Sequence, residues 1–95
     1  MPKLGVNIDH VATLRQARLE TDPDPILAAR ICEQAGVHSI VAHLREVRRH
    51  IQDMDTVLLK KSIKIRFNLE MSTSKDIVKV ALQIRPNQAT LVPEK

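Results

Sequence analysis

Tryptophan and tyrosine are absent from this chain, and Phe67 is its only aromatic residue. A surface without an aromatic stacking platform suits single-stranded nucleic acid poorly. A core without rings must be aliphatic, as in the Val-, Ile- and Leu-rich interior of a parallel sheet. Glycine occurs only at Gly5 and Gly36, and neither belongs to a GxGxxG or Walker pattern, so no nucleotide cofactor is indicated. The single cysteine, Cys32, excludes an intrachain disulfide, and no His/Cys cluster has zinc-ligand spacing. Cys32 falls in an amphipathic helical pattern and reads as a small buried hydrophobe rather than a nucleophile. No apolar run is long enough to span a bilayer and no signal-peptide pattern is present, so the cytoplasm is the expected compartment and a membrane partner is not expected.

What remains is ordinary for a globular chain: 43% hydrophobic and 27% charged residues. At 95 residues it is one small domain or a piece of a larger one. The formal charge of +4 favours anionic partners without choosing between phosphorylated metabolites, nucleic acid and simple solubility. Position says more, because Arg15, Arg18, Arg45, Arg48 and Arg49 sit beside acids and histidines, which favours a focused anion site over a diffuse patch.

The chain alternates extended and helical patterns. Residues 4–9 read as a buried strand, followed by a weak helical pattern over 10–18 in which Val11, Leu14 and Ala17 recur. Asp24 is placed to cap a helix that has Pro25 in its first turn, with Ala28, Ile31, Cys32 and Ala35 as the expected buried face and Gly36 as its end. Residues 39–43 form the next expected strand and 44–52 a polar loop. Asp53 or Asp55 can cap a helix reaching Ser62, with Val57, Leu58 and Lys61 as its face. Residues 64–70 are extended again. Over 73–85, Ile77, Val80, Ala81 and Ile84 fall on one helical face, Pro86 and Asn87 stop the helix, and 89–92 close the series as a strand. This β-α-β-α-β-α-β order is the grammar of a parallel α/β sheet with right-handed crossovers.

Strand parity narrows the architecture. Arg66, Asn68 and Glu70 share one face of their strand and Ile65, Phe67 and Leu69 the other; Asn7 and Asp9 likewise oppose Val6 and Ile8. A doubly wound sheet would bury that polar stripe under helices, whereas a closed barrel has room for it inside. The apolar runs also end in side chains fit for acid-base or phosphate chemistry: Asn7, Asp9 and His10, then His43 and Arg45, then Asn68 and Glu70, then Glu94 and Lys95. In a parallel sheet those ends open onto one face. His43 is suited to proton exchange near neutral pH, and the arginines that follow it to bidentate phosphate binding. For Arg48 and Arg49 a solvated basic loop is an equal alternative. Glu70 could be a general base oriented by Asn68 and Arg66, or the partner of a structural ion pair with Arg66. Asp9 and His10, being adjacent, would diverge if both were extended, each reaching substrate from the rim.

Five blocks, Gly5 to Arg18 (GVNIDHVATLRQAR), His43 to Glu46 (HLRE), Arg48 to His50 (RRH), Asn68 to Met71 (NLEM) and Leu91 to Lys95 (LVPEK), occur in order along the whole chain and resemble the pyridoxine 5'-phosphate synthase family. The resemblance implies a TIM barrel of vitamin B6 biosynthesis that condenses 1-deoxy-D-xylulose 5-phosphate with 3-amino-2-oxopropyl phosphate, releasing phosphate and water, with no cofactor and no metal. It implies a homo-oligomer, an octamer in the family. Carried over by motif, Asn7 and Arg18 would contact the amino-oxopropyl phosphate, and Asp9, His10, Arg45 and His50 the deoxyxylulose phosphate. His43 and Glu70 would be proton acceptors. Val47 stands where the family usually carries Asp, which removes a charge from that loop.

A TIM barrel has eight strands in about 250 residues, so residues 1–95 are expected to be a single incomplete domain holding strands 1 to 4. In the family, a threonine beyond the last block, a later histidine acting as proton donor and glycine-rich phosphate contacts complete the site. The expectation is therefore a synthase whose 95-residue portion is inactive alone. Three alternatives stand beside it: a non-catalytic half-barrel that self-associates through open strand edges, another sugar-phosphate barrel enzyme such as an isomerase or epimerase, and a nucleic-acid binder suggested only by the charge.

Overall fold

Each extended segment pairs with the next in the same direction, and each pair is joined through at least one helix. The structure is a computed structural model describing residues 2–94; Lys95, the last of the expected strand-end residues, lies outside the described residues. Strands β1 (Gly5–Asn7), β2 (Ser39–Leu44), β3 (Arg66–Met71) and β4 (Gln88–Leu91) form one parallel sheet in that order. The crossovers carry α1 (Asp9–Arg18) with α2 (Pro25–Gln34), then α3 (Asp53–Ser62), then α4 (Lys75–Ile84). Parallel neighbours joined this way need a crossover of a dozen or more residues, which a helix supplies.

Alternation sorts the sheet into two faces. Ile40, Ala42 and Leu44 of β2 and Phe67, Leu69 and Met71 of β3 are buried, and they form one core with Ile26, Ala29, Leu59, Ile63 and Ile77 of the helical layer. Phe67 is fully buried; removing a ring from such a site costs about 3–5 kcal/mol. The opposite face carries Ser39, Val41 and His43 beside Arg66, Asn68 and Glu70, in the register Ser39 to Arg66, Val41 to Asn68 and His43 to Glu70. These six side chains are half-buried or exposed. One apolar face under helices and one polar face turned away from them is the half-barrel pattern that strand parity anticipated.

Local chemistry accounts for most boundaries. The Asp24 carboxylate accepts the Ile26 N–H at 2.9 Å with Pro25 at the first helical position, as expected. Gly36, at φ 92°, follows the end of α2 in the left-handed region that glycine adopts without steric cost. Ser74 caps α4 by accepting the Ile77 N–H.

Four expectations are corrected. Asp9 opens α1 instead of closing β1, because the Asn7 side chain accepts the Asp9 N–H at 2.7 Å and turns the chain into the helix. Leu44 belongs to β2 rather than the loop. In α2, Ile31 and Ala35 are exposed, and the buried stripe runs through Ile26 and Ala29 toward the partly buried Cys32. In α3, Gln52 is the N-cap, in a capping box with Asp55, and the buried residues are Asp55, Thr56 and Leu59 while Leu58 and Lys61 are exposed. Both helices have apolar residues on more than one face, and contact with neighbouring helices decides which is covered.

Candidate functional site

The strand ends are tied together by Asn7 and Asp9. Asn7, the last residue of β1, donates its amide Nδ2–H to Asp9 Oδ2 at 3.2 Å and to Glu70 Oε1 at 3.4 Å. Asp9 Oδ1 accepts the His43 backbone N–H at 2.8 Å, linking the start of α1 to the end of β2. His43 and Glu70 are register partners on adjacent strands. One ring nitrogen of His43 and one carboxylate oxygen each of Asp9 and Glu70 lie within 4.8 Å of one another. Residues separated by some sixty positions in sequence thus share one small volume at the C-terminal end of the sheet.

An imidazole between two carboxylates is equipped to pass protons to and from a bound molecule. The same trio has donor types and separations that a metal ion could use. Asn7 donates hydrogen bonds to both carboxylates and so fixes them beside the imidazole. A histidine held between two oriented carboxylates is an arrangement fit for acid-base chemistry. The alternative of an Arg66–Glu70 ion pair is not realised: four residues along a strand separate their backbones by roughly 13 Å, and the hydrogen bond to Glu70 comes from Asn7.

Beside the trio, the segment after β2 bends over the sheet. His50 is half-buried, and its Nδ1 accepts the Ile51 N–H at 2.7 Å. Burial lowers its pKa from the usual imidazole value, and the nearby His43, Arg45 and His10 add to that, against the opposing pull of Asp9. Arg48 holds the segment in place. Its guanidinium reaches Asp53 at 2.7 Å, Asp76 at 2.7 Å and the Glu46 carbonyl at 2.8 Å. Arg48 is thus a structural clasp, a role that neither the phosphate-anchor nor the solvated-loop reading gave it; Arg49 is exposed. Val47 is 71% exposed, so this loop is held without a side-chain bond at that position.

Arg15 is likewise structural. It binds both carboxylate oxygens of Asp55 at 2.7 Å and the His50 carbonyl at 3.2 Å, and the Asp55 hydrogen bonds raise its pKa. Of the remaining expected site residues, His10 is exposed in the first turn of α1, next to Asp9. Arg18 closes α1, roughly 13 Å along the helix axis from Asp9, and pairs with Glu20 at 3.4 Å on the exposed surface. The structure brings together Asn7, Asp9, His43 and Glu70, with Arg45 and His50 beside them, and does not bring Arg18 to them.

Glu94 has a part that sequence reading did not assign. Its side chain is 9% exposed, and it lies across the end of β3 with Oε1 accepting the Glu46 N–H at 3.2 Å and Oε2 at 3.5 Å from His43 Nε2. Its place among the strand-end polar residues was the only signal available. A cleft of about 430 Å³ lined by Ser72, Thr73, Val92 and Pro93 opens beside it.

Comparison with known proteins agrees with this geometry. The family model described as pyridoxal phosphate biosynthesis protein PdxJ matches residues 4–95. Proteins named pyridoxine 5'-phosphate synthase from Geotalea daltonii, Acaryochloris marina and Syntrophobacter fumaroxidans are 58%, 56% and 53% identical over all 95 residues. The chain spans 40% of the length of each of these relatives. A match of that extent, on a half-barrel whose acid-base residues meet at the strand ends, shows that the chain belongs to the PdxJ family of pyridoxal phosphate biosynthesis proteins.

Proposed function

We propose that this chain forms the first half of the barrel of a pyridoxine 5'-phosphate synthase, a transferase-type condensing enzyme. In this reading it joins 1-deoxy-D-xylulose 5-phosphate to 3-amino-2-oxopropyl phosphate and releases phosphate and water. The observation that carries the reading is the meeting of Asp9, at the start of α1, with His43 and Glu70 of the sheet's polar face. Joining an amine to a ketone, losing water and phosphate and closing an aromatic ring each require protons to be moved, and His43 and Glu70 are the acceptors for them. Arg45, His50, His10 and Asp9 hold the deoxyxylulose phosphate, and Asn7 holds the amino-oxopropyl phosphate. Arg18 takes part in phosphate binding only if it leaves its exposed pairing with Glu20.

The 95-residue chain alone is inactive in this reading, because its polar face is not enclosed among the described residues and a water-filled site weakens every electrostatic contact. The setting is cytoplasmic and the complete protein a homo-oligomer. The test uses a grafted barrel in which residues 1–95 replace the matching segment of the Geotalea daltonii relative. With both substrates, the graft is expected to form pyridoxine 5'-phosphate and the 95-residue chain is not. A graft that folds but makes no product, or that binds a different sugar phosphate in preference, sinks the proposal.

A second reading rests on the unpaired outer edges of β1 and β4, beside which Leu4 and Leu91 are exposed. Open edges recruit other strands, so the isolated chain self-associates. A monomer by light scattering at working concentration would count against it.

A further inference from the structure

Three polar atoms are buried without a hydrogen-bond partner among the described residues: His43 Nε2, Arg45 Nε and Glu94 Oε2. They are not scattered. His43 Nε2 stands 3.5 Å from Glu94 Oε2, and Arg45 Nε stands 3.9 Å from Glu94 Oε1. The side chains are 12%, 26% and 9% exposed in the order His43, Arg45, Glu94. A buried carboxylate has thus been brought between an imidazole and a guanidinium, slightly beyond hydrogen-bond length, while its other oxygen is fixed to the backbone of Glu46. Unmet buried polar groups are rare in folded proteins and concentrate at working sites, where bonds tighten once a ligand is bound.

We infer that Glu94 is a positioning residue, which holds the proton of His43 on Nε2 and aims Arg45, so that His43 presents Nδ1 as the accepting nitrogen. The inference deepens the proposed synthase reading and rests on it for its catalytic consequence. A carboxylate beside one ring nitrogen favours the tautomer protonated there and leaves the lone pair on the other. The groups around His43 suit such a relay: the carboxylates of Asp9 and Glu70 within 4.8 Å of a ring nitrogen, Glu94 at 3.5 Å from Nε2, and Arg45, His50 and His10 as the neighbouring bases and cations. Glu94 itself touches no reacting atom. It acts through His43 and Arg45, from the segment following a strand that does not pair with theirs.

The test uses the grafted barrel and two variants. Glu94→Met keeps length and removes the acceptor; Glu94→Gln keeps a neutral acceptor. Nitrogen-15 spectra of the His43 ring in its neutral form distinguish the protonated from the bare nitrogen. The parent and Glu94→Gln are expected to carry the proton on Nε2, and Glu94→Met a mixture of tautomers. Kinetically, Glu94→Met is expected to lower kcat about 10- to 100-fold and to raise KM for the deoxyxylulose phosphate that Arg45 holds while leaving KM for the amino-oxopropyl phosphate unchanged, with Glu94→Gln falling between. An unchanged tautomer or an unchanged kcat in Glu94→Met overturns the inference, and wild-type kcat in Glu94→Gln overturns the part assigned to charge. The spectrum needs no turnover. A graft that makes no product while the tautomer still follows residue 94 defeats the synthase reading and leaves the positioning of His43 standing.

Discussion

Replacing Asp55 with alanine should cost this fold more than any exposed substitution. Asp55 is 6% exposed, accepts both arms of the Arg15 guanidinium at 2.7 Å and accepts the Gln52 N–H at 2.8 Å in the capping box of α3. Arg15 is itself only 11% exposed in its side chain, so solvent cannot take the place of the lost carboxylate. Breaking a buried pair by removing one partner costs about 3–5 kcal/mol, because the other charge stays buried. The lost cap contributes about 1 kcal/mol more, partly overlapping. Against a domain stability of about 5–15 kcal/mol this is a large fraction. The double variant Arg15→Met with Asp55→Leu buries no charge and loses chiefly the cap, so it should lie within about 1–2 kcal/mol of the parent. Urea unfolding of the grafted barrel, followed by far-ultraviolet circular dichroism, reads these as shifts in midpoint at constant slope. A single-variant loss below about 1 kcal/mol, or a double variant equal to the sum of the singles, would refute the reasoning.

Further outcomes follow from individual side chains. The native pKa of His50 lies below its unfolded value of about 6.5. Between the two the unfolded chain binds more protons, so stability should fall as pH drops through that window and be flat above it. His50→Gln should flatten the fall in urea midpoint between about pH 7.5 and 5.5; an identical slope in variant and parent rules the assignment out. Val47→Asp, which puts a charge on the loop between Glu46 and Arg48, should change stability by no more than about 0.5 kcal/mol because Val47 is exposed, and a larger shift in midpoint would show that the loop depends on that position. Phe67→Ala should cost about 3–5 kcal/mol, measured the same way; a loss under about 1 kcal/mol would mean the core is not organised around that ring.

The architecture was legible because its signals are local. The alternation of Arg66, Asn68 and Glu70 with Phe67 and Leu69 announces which side of β3 meets the helices, and Asp24 followed by Pro25 announces the start of α2. The buried faces of α2 and α3 are ambiguous in sequence because apolar residues lie on more than one side of each helix: Ile31 and Leu58 fit a periodic stripe as well as Ala29 and Leu59 do, and only the neighbouring helix chooses between them. At the site, the convergence of Asp9, His43 and Glu70 follows from parallel strands ending together, and it could be anticipated. The pairings Arg15–Asp55, Arg48–Asp76 and Glu94–Glu46 could not, since each spans distant segments with no pattern linking the partners. Arginines that look alike in sequence thus differ in the structure: Arg15 and Arg48 are clasps between distant segments, and Arg49 is exposed.

The central claim is that His43 and Glu70 move the protons of a condensation on the polar face of this sheet. The most direct measurement is single-turnover formation of pyridoxine 5'-phosphate by the grafted barrel, compared with grafts carrying His43→Asn or Glu70→Gln. Losing a positioned acid or base costs about 10²- to 10⁴-fold, so each variant should form product at least about 100-fold more slowly while still binding both substrates. Product formation within a few-fold of the parent in either variant would contradict the account.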